Sequence, residues 1–154
     1  MIREATENDL KQLAELYKEL MVYHNRLDPK KYELPDDIAC EKEIKRYFEY
    51  SVIYNVLCHE TDNVVDGFVV YMLLNLKSSK DKPDGIIKVD SIVVAENARR
   101  KGIGTELINE MYRLAKENFC NTVSLDMHME NGDARKFYEK MGMIPTTIHM
   151  EMRL

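Results

Sequence analysis

The residues best suited to chemistry stand together in the stretch from Val89 to Ile108, Val89-Asp-Ser-Ile-Val-Val-Ala-Glu-Asn-Ala-Arg-Arg-Lys-Gly-Ile-Gly-Thr-Glu-Leu-Ile108. A β-branched run leads into a basic turn, then two glycines two positions apart, then an amphipathic helical pattern. Gly102 and Gly104 let a backbone curl closely around a ligand without side-chain collision. The first amides of a helix have no intrahelical acceptor and carry the positive end of its dipole. Arg99, Arg100 and Lys101 add charge to the same turn, which therefore suits a phosphate or pyrophosphate. A tight turn beside a solvated basic face accounts for the same residues equally well. No Gly-Lys-Ser/Thr follows the glycines, which excludes a P-loop, and Leu107 stands where a dinucleotide fingerprint has its third glycine. Just upstream, Asp90 lies between Val89 and Ser91 in a strand whose faces should be covered, so its carboxylate needs a partner or a function.

Alternating strands and helices must position these groups. Residues 1–5 read as a short edge strand. Thr6 and Asp9 mark a helix start, and Leu10, Leu13, Leu16, Tyr17, Leu20 and Met21 recur at helical spacing until Asp28-Pro29 ends the helix. A second helix is predicted over 36–50, with Ile38, Ile44, Tyr47 and Phe48 as its apolar contacts. Residues 52–59 and 64–76 flank the turn Glu60-Thr61-Asp62-Asn63 and predict an antiparallel hairpin. The polar stretch 77–85 reads as a loop. A strand over 86–94, a helix over 102–118, a strand over 122–128 and a short helix over 131–141 follow. The alternation Ile148, Met150, Met152, Leu154 predicts a terminal strand with one buried face.

The chain has 154 residues and no repeat or linker, which fits a single domain over 1–154. Its 45% hydrophobic content argues against wholesale disorder. With 22 Lys+Arg against 27 Asp+Glu the net charge is −5, which disfavours general nucleic-acid binding and leans toward a cationic small molecule. No long apolar run predicts a membrane span or a secretory leader. Cys40, Cys58 and Cys120 are odd in number and far apart, and the four histidines form no metal spacing. Reduced thiols in a cytoplasmic protein, with no metal, are the expectation.

Two stretches resemble a known family. Arg99-Arg100-Lys101-Gly102-Ile103-Gly104 is similar to the Arg/Gln-x-x-Gly-x-Gly/Ala motif of the GNAT superfamily of acyl-CoA-dependent N-acetyltransferases. Asn131-Gly-Asp-Ala-Arg-Lys-Phe-Tyr-Glu-Lys-Met-Gly142 resembles that family's second signature, and the element order agrees over nearly the whole chain. The resemblance implies an α/β fold, a mixed and mainly antiparallel sheet flanked by helices on both faces. It implies that the amides of Arg99, Arg100, Lys101, Gly102, Ile103, Gly104 and Thr105 hold the pyrophosphate of acetyl-CoA. The pantetheine arm would pair with Ile92, Val93 and Val94, on a strand splayed by a bulge that sequence does not reveal. Asn131, a helix cap in its plainest role, matches a residue that contacts the cofactor. Arg135 would share a helix face with Asn131 and Tyr138.

By the same resemblance Tyr138 protonates the departing thiolate, and a phenol of reference pKa about 10 is protonated at neutral pH. Its plainer role is that of a core aromatic. Asp90 matches an acidic position of the family's polyamine acetyltransferases, although there it is Glu. Anchoring substrate, or acting through water, stands beside direct base catalysis. Tyr23 and His24 fall where the acceptor site is bordered, in residues 23–32. The expected activity is transfer of acetyl from acetyl-CoA to a primary amine of a small molecule or peptide, by direct attack. Partners are then the amine and a homodimer mate, with no nucleic acid and no membrane. A CoA-binding regulatory module without turnover is the alternative.

Overall fold

The computed structural model describes residues 1–74 and 77–154. Five strands form one sheet in sequence order: β1 Ile2–Glu4, β2 Asn55–Thr61, β3 Val64–Leu74, β4 Gly85–Val94 and β5 Cys120–Leu125. The first three pairings are antiparallel, and β5 lies parallel to β4. The helices are α1 Leu10–Leu27, α2 Asp37–Glu49, α3 Ile103–Glu117 and α4 Gly132–Lys140.

Local chemistry explains where the elements begin and end. Asp62 and Asn63 adopt φ of 52° and 63°, which these short polar residues tolerate, so they alone turn the β2–β3 hairpin. Strand pairing therefore runs on through Thr61, further than expected. At the other end β2 starts at Asn55 and not at residue 52, because 51–53 form a turn with Val52 fully in solvent. The last two residues of the expected strand 64–76, Asn75 and Leu76, lie outside the described residues. The start of α1 is pinned by Asp9. Its carboxylate accepts from the Thr6 amide at 2.8 Å and from both arms of the Arg3 guanidinium at 2.8 and 2.9 Å. Asp36 caps α2 by accepting from the Ala39 amide at 2.7 Å. The first turn of that helix then points Ile38 outward, and this expected apolar contact is exposed.

Every residue from Gly67 to Tyr71 in β3 is buried, so helices cover both faces of the sheet centre. α3 lies directly over Gly67, where a Cβ would come within 3.0 Å of Ile103. α1 and α2 pack on each other and against β2, β3 and β4. Leu13, Leu16, Ile44 and Tyr47 bring their apolar stripes into that layer.

The terminal strand does not form. Residues 143–154 have no regular structure, and Ile148, Met150, Met152 and Leu154 stand in solvent. Alternation marks a segment able to be a strand, but a strand needs an edge to bind. Here the segment ends with the Arg153 guanidinium on the Asp28 carboxylate, at 2.5 and 3.2 Å.

Candidate active site

The sheet comes apart along β4. β5 pairs with it only from Gly85 to Val89, leaving residues 90–94 with a free edge on that side. On the other side Val70 opposes Ser91 and Tyr71 opposes Val89, so Asp90 is the extra residue of a β-bulge. The bulge that sequence left hidden thus falls on the candidate base, just where β4 and β5 part. Among the free-edge groups, the Val94 carbonyl already accepts from Arg99 Nε at 3.2 Å. Val93 is buried and Ile92 and Val94 are half-buried.

The basic turn follows. Arg100 and Gly102 have φ of 64° and 92°, and α3 starts with Gly102 at its N-cap and no capping side chain. The first helical bond runs from the Glu106 amide to the Gly102 carbonyl at 3.0 Å. Among the described residues the amides of 100–105 donate to no protein acceptor. Such a nest of amides at a helix start is an anion site, and the exposed Arg99, Arg100 and Lys101 surround it. The two glycines serve different ends. A Cβ on Gly102 would meet nothing within 4 Å, so its need is the left-handed φ. A Cβ on Gly104 would stand 3.3 Å from Phe137 Cζ, so its need is the close approach of α4.

Asn131 caps α4, its Oδ1 accepting from the Ala134 amide at 3.1 Å. The same oxygen accepts from the Tyr23 hydroxyl at 3.1 Å, and the Arg99 guanidinium lies 5.9 Å from the Tyr23 ring. Tyr23 therefore ties the end of α1 to both the basic turn and the start of α4. Arg135 does not join this group. It is exposed with its Nε on the Glu139 carboxylate at 2.9 Å, while its amide donates to the Asn131 carbonyl at 3.0 Å in the first turn of α4. Tyr138 is half-buried against the Phe137 ring at 5.2 Å. Burial pushes its phenol up to about 12, and its hydroxyl makes no hydrogen bond among the described residues. Among the described residues it is a protonated donor without a partner.

Asp90 is exposed, contrary to the covered setting expected from its neighbours. The outward turn at the bulge explains this. Its Oδ2 accepts from the Tyr47 hydroxyl at 2.7 Å and from Ser91 Oγ at 3.3 Å. Tyr47 is 2% exposed, and burial beside that carboxylate raises its phenol well above the ordinary range. The Arg46 guanidinium lies over the Tyr47 and Tyr54 rings at 4.9 and 5.0 Å and is held by Glu43. Sequence reasoning placed Tyr47 in the core and missed this role. The available signal was a Tyr, not a Phe, on the apolar face of α2, since a buried hydroxyl must find a partner.

His24 packs its ring 5.0 Å from Tyr32, and burial with the nearby His128 lowers its pKa. His128 accepts from the Glu130 amide through Nδ1 at 3.2 Å and turns Nε2 to Asp28 at 3.4 Å. The end of α1 and the loop after β5 thus share an aromatic wall around a carboxylate, which sequence had not joined. No group of His, Cys, Asp and Glu among the described residues could hold a metal ion, and no described helix is long and apolar enough to cross a membrane.

Residues 11–143 match the model of the acetyltransferase (GNAT) family. The chain is similar to the uncharacterized N-acetyltransferase YobR of Bacillus subtilis, 38% identical over 66 residues. That match covers 43% of this chain and only 27% of YobR. Among solved structures, a tetramutant of the BH1408 protein of Bacillus halodurans superposes with TM-score 0.89 at 20% identity, covering 100% of this chain and 99% of that one. AAC(6')-Iy, solved in complex with the bisubstrate analog CoA-S-monomethyl-acetylneamine, superposes with TM-score 0.70 at 20% identity, covering 100% of this chain and 97% of that one. At such identity the structural likeness speaks to the fold.

Proposed function

The chain belongs to the acetyltransferase (GNAT) family, and from that premise we propose that it moves acetyl from acetyl-CoA to a primary amine by direct attack. One observation carries the reading. Among the described residues, the free β4 edge at 90–94 and the unpartnered amides of 100–105 are two stretches of open backbone on either side of the hydrogen-bonded turn at 95–99, and α4, which carries Tyr138, packs Phe137 close to Gly104 in the second of them. The pyrophosphate fits the amides and the charges of Arg99, Arg100 and Lys101, and the pantetheine amides fit the edge of Ile92, Val93 and Val94. The side-chain amide nitrogen of Asn131 bonds to none of the described residues and could reach the cofactor, because capping uses only the oxygen.

The amine nitrogen attacks the thioester carbon, the C–S bond breaks, and one proton passes overall from nitrogen to sulfur. Asp90, held by Tyr47, takes the amine proton directly or through water, or anchors the ammonium form before attack. Tyr138 serves the sulfur. A phenol pushed up to about 12 is a weaker acid than a thiol near the reference value of about 8.5. Its contribution is therefore a hydrogen bond to sulfur as negative charge develops there, and the proton given up by the amine ends on the departing thiolate. Alignment of the two substrates on one scaffold supplies much of the remaining rate.

The acceptor is a small cationic amine, bordered by Tyr23, His24 and Tyr32. The net charge of −5 and the exposed Asp90 support that choice over a neutral acceptor. Free thiols at Cys40, Cys58 and Cys120 suit the cytoplasm. The test is calorimetric titration with acetyl-CoA of the wild type and of Gly104→Glu, followed by a panel of amines monitored by CoA release. Binding abolished by the variant and an amine-dependent thiol signal are expected. Binding with no turnover on any amine would replace the transferase with a CoA-responsive module, and no binding would end both.

A further inference from the structure

A carboxylate at the end of α1 is held for a cation. Asp28 stops the helix, its amide donating to the His24 carbonyl at 2.9 Å, and its own carbonyl accepts from the Lys31 and Tyr32 amides at 3.1 and 3.0 Å. This closed turn sets the Asp28 side chain against the loop that follows β5. There His128 takes the Glu130 amide on Nδ1 at 3.2 Å, which leaves the hydrogen of a neutral ring on Nε2, 3.4 Å from Asp28 Oδ2. The imidazole therefore orients the carboxylate without cancelling its charge. The Tyr32 ring stands edge-on to His128 at 6.1 Å and draws the Lys31 ammonium to 5.5 Å, so this border attracts cations.

The chain itself supplies an occupant. Arg153 brings both ends of its fork to Asp28, at 2.5 and 3.2 Å, and holds that carboxyl well below the usual carboxylate range. With the guanidinium in place the Asp28 side chain is only 12% exposed. The segment that delivers Arg153 is lightly fastened. Among the described residues, 144–154 make no backbone hydrogen bond, and the Arg153–Asp28 pair is the one ion pair joining them to the rest of the chain. The Arg153 side chain is 45% exposed, and an ion pair open to water contributes little net free energy, so a competing cation can replace it.

The place lies near the proposed reaction. β5 pairs with β4 up to Leu125 opposite Val89, and the two then part, with Asp90 on one bank and the loop 126–131 on the other. His128 is three residues along that loop, and its carbonyl accepts from the Asn131 amide at 2.9 Å. Chain reach sets Asp90 and His128 no more than roughly 20 Å apart.

We propose that Asp28 binds a second cationic group of the acceptor, which is therefore a di- or polyamine, and that Arg153 holds the site until the acceptor displaces it. The inference rests on the transferase reading and narrows its acceptor from any cationic amine to one with two cations. No bond is made or broken in the exchange; one cation replaces another on a carboxylate.

Calorimetry in the presence of CoA, where no acetyl can move, compares spermidine with butylamine, which has a single cation. Wild type should bind spermidine at least roughly 10-fold more tightly, the worth of a hydrogen-bonded charge. Asp28→Asn should erase that difference while butylamine and acetyl-CoA bind as before, which also shows that the variant is folded. Arg153→Gln should tighten spermidine binding roughly 2–5-fold and leave butylamine unchanged. In nuclear magnetic resonance, spermidine should move the Arg153 Nε–H signal of wild type to its position in Asp28→Asn. Equal binding of the two amines, or of neither, would overturn the proposal. So would a preference that survives Asp28→Asn, or spermidine binding that Arg153→Gln weakens or leaves unchanged. Absence of turnover with these binding differences intact would remove the transfer and keep the cation site.

Discussion

Gly102→Ala separates backbone conformation from space at the basic turn. At φ 92° an added Cβ meets no atom within 4 Å, so no packing term enters. What remains is the left-handed penalty of an L-residue, about 1–2 kcal/mol. If the backbone holds its shape, stability falls by that amount, and the melting temperature falls by roughly 2–8 °C for a chain of this size. If the turn instead rotates toward negative φ, the amides of 100–105 lose their common direction. The same free energy then appears as an affinity for acetyl-CoA weaker by roughly 5–30-fold. Urea unfolding and calorimetry on one preparation measure both parts, and their sum should reach the penalty. Gly132→Ala is the control. Gly132 opens α4 at ordinary φ with nothing near its Cβ, so alanine there should be neutral or stabilising by up to about 1 kcal/mol. The reasoning is refuted if Gly102→Ala stays within about 0.5 kcal/mol of wild type in both measurements, the range of an ordinary surface change.

Three more substitutions have definite expected outcomes. Tyr138→Phe should lower kcat by roughly 10²-fold while the calorimetric Kd for acetyl-CoA stays unchanged, and unaltered turnover would remove Tyr138 from the reaction. Because burial pushes this phenol up to about 12, kcat should show no alkaline fall near pH 10 that disappears in Tyr138→Phe. Tyr47→Phe takes the 2.7 Å hydroxyl from Asp90. It should cut kcat/KM by roughly 10-fold, the worth of one hydrogen bond to a charged group, with acetyl-CoA binding intact. Equal losses in acetyl-CoA affinity would instead mean a general disturbance of the fold. Asp9→Asn should flatten the acid limb of stability. Arg3 holds the Asp9 carboxyl down to about 2 from 3.8, so its contribution is full above pH 3.8 and is lost as pH falls toward 2. Urea midpoints measured across that interval should slope less steeply in the variant than in wild type.

The bulge at Asp90 joins two parts of the site. Inserting one residue against β3 turns the carboxylate into solvent, and β4 leaves β5 at the same point, opening the edge at 90–94. One irregularity thus positions the candidate base and opens the candidate cofactor edge. The buried Tyr47 hydroxyl limits how far that exposed carboxylate can move.

Much of this was legible from residue order. Helix starts at Thr6 and Asp36, the stop at Asp28-Pro29, the Asp62-Asn63 turn and the Gly102 turn all depend on groups a few positions apart, and these interact wherever the chain goes. Gly102 and Asn131 could be marked for the same reason, since a left-handed turn and a helix cap are local demands. Tertiary structure decided the rest. Whether Asp90 faces solvent depends on the register of β3, which no spacing within β4 records. Tyr23 meets Asn131 across 108 residues and Tyr47 meets Asp90 across 43, contacts that arise only when helices settle on a sheet. The alternation from Ile148 to Leu154 specifies a face for a strand but not an edge to bind. Side-chain period is a property of one segment, whereas pairing belongs to two, and the second becomes available only through the fold.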